Sequence, residues 1–236
     1  MAGIATVGGA AGCPPLDCNA GPDVNPRFVV GALIDGVDPA LGQLGLVYAQ
    51  AGAAHAFGTL CVSSSTSNPM VMTAAPNTAN LGQPLYVART DFTGAANSYG
   101  WFQFLGLTPV SSLNSVAAGA GIGIAGAGQA GTLAAGKQIL NAYVVAPSTG
   151  TVVKNNCSTQ NGGTQLLVPN NEGIWIGQAV SGTGIAGSTK VKSILGQNTV
   201  VLDTAMNATG VSSVTFTYTG FNLVRLNYPF AQGAIT

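Results

Sequence analysis

The sequence predicts an all-β protein, and two observations support this prediction. Short runs rich in β-branched and aromatic residues recur along the chain, and clusters of Gly, Pro, Asn and Ser separate them. Few windows keep the apolar period of an amphipathic helix for three turns. The chain has 236 residues, which is enough for one large β-domain or two small ones. We expect a small barrel or sandwich as the N-terminal lobe, a compact C-terminal β-domain and an extended N-terminal arm.

Residues 1–26 are predicted to form the arm. The segment is rich in Gly, Ala and Pro and has no apolar period, so it cannot bury enough of its own surface to fold alone. Its prolines already restrict the backbone and reduce the entropy that would be lost on docking. We therefore expect the arm to become ordered on a neighbouring subunit of a symmetric assembly.

Residues 27–149 are predicted to form a barrel-like β-domain. Its runs with strand composition are residues 28–33, 45–49, 84–88, 101–107 and 137–145.

A separate C-terminal β-domain is predicted over residues 150–236, because a series of shorter strands and tight turns starts near residue 150. In one of these strands, Val214, Phe216 and Tyr218 alternate with threonines in the period-two pattern of a half-buried strand.

The run YGWFQF, which begins at residue 99, is the most concentrated apolar feature of the chain. In a strand, Trp101 faces one side, and Phe102 and Phe104 face the other. Two interpretations stay open: a buried strand, and an anchor between subunits, because large aromatic residues dominate interface energies. Arg89 and Asp91 in the stretch YVARTDF are candidates for a cross-strand or intersubunit ion pair. These five residues are the candidate interface.

The composition argues against functions that depend on a strong electrostatic field. Only 6% of the residues are charged, and seven basic side chains balance seven acidic ones. Nucleic acids and anionic lipid surfaces are recognised through clustered positive charge, so we expect neither as a partner. An uncharged surface instead favours association with other proteins, and we expect a homo-oligomer.

No segment is predicted to cross a membrane or to direct export. The uncharged stretch 116–135 has the length of a spanning helix, but glycines recur through it and only four of its residues are large and aliphatic. The first basic residue is Arg27, and glycines interrupt the apolar run before it, unlike in a signal peptide. We expect the protein to be made and used without a secretory pathway.

The stretch GAGIGIAGAGQAG, residues 119–131, contains G-x-G-x-x-G, the pattern of a dinucleotide-binding loop. Such a loop needs a strand before it, a helix after it and an acidic residue about 20 positions further on. Glycines would interrupt the helix, and no carboxylate occurs between residues 91 and 172. We therefore expect no cofactor and interpret the stretch as a turn or packing segment, with Ile122 and Ile124 facing one way.

Candidate catalytic and metal-binding residues are sparse. The single histidine, His55, has no nucleophile motif near it, and G-x-S-x-G is absent. Asp35 and Asp38 could in principle bind a divalent cation, but acids in a turn with Gly and Pro more often have only local roles. The four cysteines, at positions 13, 18, 61 and 157, are too scattered to predict a disulfide scaffold or a zinc site. We expect neither enzymatic activity nor a bound metal.

Two stretches resemble known families. Residues 177–218, GQAVSGTGIAGSTKVKSILGQNTVVLDTAMNATGVSSVTFTY, resemble a β-module of tailed-bacteriophage structural proteins. Its marks are a V-x-G-x-G-I turn, then T-x-V, then a strand pair that ends in alternating threonines and aromatics. Residues 99–147 look like small β-barrel head decoration (cement) proteins, in which G-x-T-P-V leads into A-A-G-x-x-I and a Gly-rich turn.

The resemblance implies a virion structural protein. The expected function is that of a non-enzymatic capsid cement protein, which binds the outer face of the head shell and stabilises it against the pressure of packaged DNA. The expected partners are the major capsid protein and further copies of this chain, on the capsid surface after synthesis in the host cytoplasm. The alternative is a tail or head fibre or a receptor-binding component, which would be present in far fewer copies per particle.

Overall fold

Every regular element that the structure describes is a β-strand. The structure is a computed structural model and describes residues 22–38, 41–63, 70–147, 149–195 and 197–233. That part of the chain contains sixteen strands and no helix, which confirms the all-β prediction. In chain order the strands are β1 (Leu33–Asp38), β2 (Gly42–Ala51), β3 (Leu60–Ser63), β4 (Val71–Ala74), β5 (Leu85–Ala88), β6 (Tyr99–Ser111), β7 (Gly121–Gly126), β8 (Gln129–Gly131), β9 (Gln138–Ala146), β10 (Thr149–Thr159), β11 (Gln165–Leu167), β12 (Ala179–Gly182), β13 (Val191–Leu195), β14 (Thr199–Leu202), β15 (Gly210–Thr219) and β16 (Phe221–Ala231).

Five strands of a ten-stranded sheet close into the first barrel. The sheet has the order β1-β2-β4-β3-β5-β6-β16-β9-β7-β8, and β2 also pairs with β6, so β2, β4, β3, β5 and β6 form a ring. Only its β2–β4 pair is parallel. The interior contains Met72, Phe92 and Phe102, all fully buried. Closure of the ring removes the free edges that these strands would expose in an open sheet.

The same sheet closes a second barrel. A parallel bridge between Ser112 and Ala130 joins the end of β6 to β8, so β6, β16, β9, β7 and β8 form a ring of their own. Its core includes Ile122, Ile139 and Val224. Alternate residues of β3 and β5 point into the two different cores, so these short strands are buried on both faces and connect the two barrels.

The strands between β9 and β16 form a separate third barrel. They have the order β12-β15-β10-β11-β14-β13, and a bridge between Ala179 and Lys190 brings β12 back to the start of β13. Val214, Phe216 and Tyr218 of β15 are buried, whereas the threonines between them are more exposed. The predicted alternation of this strand is therefore confirmed.

The two sheets divide the chain differently from the predicted domains. The second sheet begins with β10 at Thr149, next to the predicted start at residue 150, but β16 pairs with β6 and β9 in the first sheet. The range 150–236 thus holds the third barrel and one strand of the second. At the junction, Trp175 and Tyr218 of the third barrel pack against Phe57 and Leu223. The ring centroids of Trp175 and Tyr218 are 4.6 Å apart.

Four of the five strand predictions in residues 27–149 coincide with observed strands, namely β2, β5, β6 and β9. Residues 28–33 do not form a strand, because Gly31 has a φ of +91° and turns the chain before β1 begins at Leu33. Of the predicted arm, residues 1–21 lie outside the described residues, and Asp23 forms a bridge with Tyr99. Across the described ranges, no helix has the length and apolarity to cross a membrane.

Candidate functional site

The aromatic run of β6 is buried within this chain. Trp101 is 4% exposed and packs with Tyr48 beneath β1, whereas Phe102 and Phe104 point into the first barrel. The predicted division of the three rings between two faces is therefore confirmed. Phe102 is fully buried and stacks on Phe92 at 5.2 Å. Since rings packed into a core are not presented to another chain, the three aromatics serve the fold, and their assignment to an interface is corrected.

Arg89 forms its ion pair with Asp38, not with Asp91. Arg89 Nη2 lies 2.7 Å from Asp38 Oδ2, and both side chains are buried. The carboxylate of Asp91 is exposed and accepts hydrogen bonds from the backbone N–H and the hydroxyl of Thr93. The hydrogen bonds with Thr93 therefore keep the carboxylate of Asp91 in its own turn. The pairing of β1 with β2 places Asp38, the last residue of β1, beside Arg89 instead.

The candidate acids for a cation do not converge. Asp38 is paired with Arg89 and accepts a hydrogen bond from the Leu41 backbone, while Asp35 stands exposed on β1. His55 is buried, and its Nε2 lies 3.1 Å from the carbonyl oxygen of Met72. Within the residues that the structure describes, no three His, Cys, Asp or Glu side chains group together in a way that could hold a metal ion.

The described cysteines are buried free thiols. Cys61 lies in the first barrel and Cys157 in the third. Burial raises the pKa of both thiols above its ordinary value, which makes the reactive thiolate scarce at neutral pH. The cysteines at positions 13 and 18 lie outside the described residues.

The glycine-rich stretch forms the hairpin of β7 and β8. Ile122 and Ile124 both point into the core of the second barrel, which confirms their predicted common face. Gly128 turns the chain with a φ of +68°, and a Cβ atom there would lie 2.6 Å from Cγ2 of Thr59. The glycines therefore allow a tight turn and close packing, as predicted for this stretch.

A hydrogen-bonded clamp fixes the segment where the arm meets the first barrel. Asp23 pairs with Arg27 at 2.6 Å and accepts a hydrogen bond from the hydroxyl of Tyr48, also at 2.6 Å. The ring of Phe28 packs on Tyr48 and Trp101, with centroids 5.2 Å apart in both cases. Burial, and then the hydrogen bond to Asp23, raise the pKa of Tyr48 to about 12. These contacts therefore fix residues 23–28 on the first barrel.

Exposed apolar side chains concentrate beside this clamp. Five of the fifteen large apolar side chains that are exposed in the described ranges lie between residues 22 and 38. Among the strands that the structure describes, β1 pairs with β2 alone and therefore forms an edge of the sheet. We call this region the arm-base surface, and its apolar members are Val24, Phe28, Val29, Leu33 and Val37. The sequence analysis predicted a strand over residues 28–33 and did not indicate that Phe28, Val29 and Leu33 would form an exposed surface.

A cleft of about 550 Å³ opens on the outer face of β2, β6, β16 and β9. Leu226 of β16 pairs with Gly106 on one side and with Ala142 on the other. Gly106 has no side chain and a φ of +93°, and a Cβ atom there would lie 2.1 Å from the carbonyl oxygen of Gln43. Leu226 and Ala142 point into the core of the second barrel, so backbone forms the floor of the cleft along this row, and longer side chains of the neighbouring rows form the rim.

Two irregular strands shape the side of this cleft. The register between β9 and β16 shifts between Leu226 and Phe230, so several residues of β16 lie opposite one residue of β9. Asn141 and Tyr228, on either side of this bulge, have φ values of +59° and +54°. Bulges of this kind redirect side chains and are common beside binding sites. The rim residues are Gln43, Leu105, Asn141, Tyr143, Arg225 and Asn227.

No protein-family model, curated protein or solved structure matches this chain.

Proposed function

We propose that this chain is a non-enzymatic structural protein of a tailed-bacteriophage virion, which decorates the outer face of the capsid and bridges neighbouring subunits of the shell. The observation that carries the proposal is the arm-base surface: an apolar patch and a strand edge beside the point where the arm leaves the barrel. The resemblance of residues 99–147 to head decoration proteins supports the same function.

The arm-base surface has the chemistry of a protein-binding surface. Val29 and Leu33 are 79% and 69% exposed, and removing such side chains from water contributes about 25 cal/mol per Å² of apolar area. The outer edge of β1 presents backbone donors and acceptors that can add a strand from another chain. Because only 6% of the residues are charged, we expect this attachment to depend little on ionic strength.

We expect residues 1–21 of the predicted arm to serve as a second point of attachment. The clamp of Asp23, Arg27 and Tyr48 fixes where the arm begins, and 21 fully extended residues span up to about 70 Å. One copy can therefore contact the shell through the arm-base surface and a neighbouring copy or capsid subunit through the arm. A ligand that binds only the assembled shell stabilises it by mass action, and many copies multiply the effect.

Binding to undecorated capsids tests the proposal. The experiment adds the purified full-length chain to expanded capsids assembled from the major capsid protein of the same virus, and measures occupancy by quantitative mass spectrometry and the temperature of capsid rupture. We expect saturable binding in many copies per particle and a higher rupture temperature. Absence of binding, or occupancy by only a few copies, would contradict the cement function.

Paired variants locate the attachment surface. The double variant Val29→Lys with Leu33→Lys places two charges on the arm-base surface, and we expect at least a ten-fold loss of affinity for capsids. The matched control is Val153→Lys with Val211→Lys, because these side chains of the third barrel are similarly exposed and the charge change is the same. Equal losses in both double variants would exclude the arm-base surface as the attachment site.

The alternative, a tail or head fibre or receptor-binding component, draws support from the cleft, because receptor binding requires a ligand site. The number of copies in purified virions separates the two functions. Many copies spread over the head support the cement function, and a few copies at the tail or at one vertex support the alternative.

A further inference from the structure

The cleft across β2, β6, β16 and β9 has the chemistry of a sugar-binding site, and we propose that it binds a saccharide that carries a carboxylate. This proposal goes beyond the capsid function and concerns a different surface. It is carried by the unpaired polar groups, the exposed aromatic ring and the single cation that line the cleft.

Three amide side chains on the rim are available for a ligand. Gln43, Asn141 and Asn227 line the cleft, and none of them forms a side-chain hydrogen bond with any other residue that the structure describes. An amide presents two donors and one acceptor oxygen in one plane. Neighbouring hydroxyl groups of a sugar ring both donate and accept, so amides of this kind match them well.

An aromatic ring and a guanidinium stand side by side on the same rim. Tyr143 and Arg225 are direct partners in the pairing of β9 with β16, and Tyr143 is 45% exposed. The apolar face of a pyranose ring can pack on the exposed phenol ring, as flat apolar groups do on aromatics. Arg225 forms no ion pair with a carboxylate in the described part of the chain. Two neighbouring N–H groups of its guanidinium can therefore bind both oxygens of a ligand carboxylate.

The architecture of the cleft also fits a small ligand. Its volume of about 550 Å³ falls within the range of roughly 300 to 1,000 Å³ that small-molecule sites occupy. The left-handed backbone at Asn141 and Tyr228 is an unfavourable conformation that tends to persist at binding sites. Gly106 allows the backbone of β2 to pack closely against β6 at the floor of the cleft, where any Cβ atom would clash with the carbonyl oxygen of Gln43.

The position of the cleft argues against an extended peptide as the ligand. β2, β6, β16 and β9 are each paired on both sides, so the cleft offers no strand edge for backbone pairing. A nucleic acid is disfavoured as well, because Arg225 is the only charged residue among the described residues of the rim and phosphate backbones require several cations. A single carboxylate on a polyhydroxylated ring matches one arginine and three amides.

The test uses the full-length chain and a defined set of sugars. An array of acidic and neutral oligosaccharides, followed by ligand-observed NMR titration, compares D-glucuronic acid with D-glucose and D-galacturonic acid with D-galactose, and includes N-acetylneuraminic acid. We expect at least one acidic sugar to bind, with a Kd at least ten-fold lower than that of its neutral counterpart. Absence of binding on the array and in titration, or equal binding of acidic and neutral sugars, would overturn the proposal.

Variants of the rim assign the binding to the cleft. We expect Tyr143→Ala to weaken binding at least ten-fold, Tyr143→Phe to retain most of it, and Arg225→Gln to abolish the preference for acidic sugars. Val145→Ala is the matched control on the same strand, since Val145 is exposed but does not line the cleft. Unchanged binding by Tyr143→Ala and Arg225→Gln would exclude the cleft. Neither rim variant changes the arm-base surface, so capsid attachment and sugar binding succeed or fail independently.

Discussion

Arg89 carries its charge inside the protein, where a guanidinium needs a counter-ion and hydrogen-bond acceptors. Asp38 supplies the counter-ion at 2.7 Å from Nη2, whereas Nε and Nη1 have no acceptor among the described residues. The ring of Phe57 lies 5.3 Å from Cζ and adds a cation–π contact. One carboxylate therefore provides most of the compensation for the buried charge.

Asp38→Asn should be strongly destabilising. The asparagine keeps an oxygen for the Leu41 backbone N–H but leaves Arg89 charged and unpaired, and we expect a loss of about 3–5 kcal/mol in the free energy of unfolding. Equilibrium denaturation in urea measures it. The control is Asp91→Asn, which keeps an acceptor for Thr93 and should change stability by about 0.5 kcal/mol or less. Similar losses in both variants would contradict the assignment of the ion pair.

Gly106→Ala should also be strongly destabilising. The left-handed backbone at this position disfavours any side chain by about 1–2 kcal/mol, and the clash with the carbonyl oxygen of Gln43 adds about 1–3 kcal/mol of overpacking. Gly94→Ala is the control, because Gly94 also has a positive φ but has open space around it. Chemical denaturation should show the larger loss for Gly106→Ala, and equal losses would show that backbone conformation alone matters.

For single residues, the sequence predicted which face of a strand a side chain occupies better than which residue it contacts. The division of Trp101 from Phe102 and Phe104 follows from strand alternation, which is a local rule. The partner of Arg89 does not, because Asp38 lies 51 residues away and reaches it only through the pairing of β1 with β2. The rim of the cleft was also beyond sequence reasoning, since Gln43, Asn141 and Arg225 come from three strands that are distant in the chain.

The segment between the arm and β1 is held by its clamp to Tyr48 rather than by strand pairing alone. The hydroxyl of Tyr48 donates a hydrogen bond to the carboxylate of Asp23 and accepts one from the backbone N–H of Arg27. The pKa of Tyr48 is raised from 10.0 to about 12, so the folded protein favours the neutral phenol. The resulting stabilisation is fully present below pH 10 and is lost as the pH rises through 12.

Tyr48→Phe should reveal this dependence on pH. We expect the variant to be less stable than the natural chain at pH 9, and the difference in the free energy of unfolding to shrink as the pH rises from 10 to 12. Denaturant titrations at a series of pH values measure the difference. Tyr86 and Tyr218 also have raised pKa values, so both proteins lose stability in this range, and only the difference reports on Tyr48. A constant difference would contradict the role of its hydroxyl.

The strands themselves were largely predictable, and their partners were not. β2, β5, β6 and β9 follow from β-branched and aromatic runs between turn residues. Residues 28–33 have the same composition, but Gly31 turns the chain and Phe28 packs over Tyr48 and Trp101 instead. Composition cannot distinguish an apolar strand from an apolar cover, because that depends on the surface beneath it.

The third barrel is an insertion between two strands of the second. Thr149 and Thr219 are paired at its base, so their Cα atoms lie within about 5.5 Å of each other, and its core is separate from those of the other barrels. The start of the insertion was predictable, because shorter strands and tight turns begin near residue 150. Its end was not, because the sequence of β16 continues the same strand pattern without a break.

Excision tests this organisation. A chain in which Asn-Gly replaces residues 149–219 should retain the first two barrels, and residues 149–219 alone should form an all-β domain. We expect dispersed amide NMR spectra and cooperative thermal unfolding from both pieces, with lower stability than in the full chain because Trp175 and Tyr218 no longer cover Phe57 and Leu223. Failure of both pieces to fold would show that the barrels form one cooperative unit.

The position of β16 between β6 and β9 has a consequence for synthesis on the ribosome. Domains generally fold as they emerge, N-terminal parts first, so the first and third barrels can close while translation continues. The second cannot, because β16 is translated after all of its partners. Until then the edges of β6 and β9 that pair with β16 in the complete fold lack this partner, and unpaired edges are targets for chaperones and for misassembly. Completion of this fold is therefore delayed until the last strand has been translated.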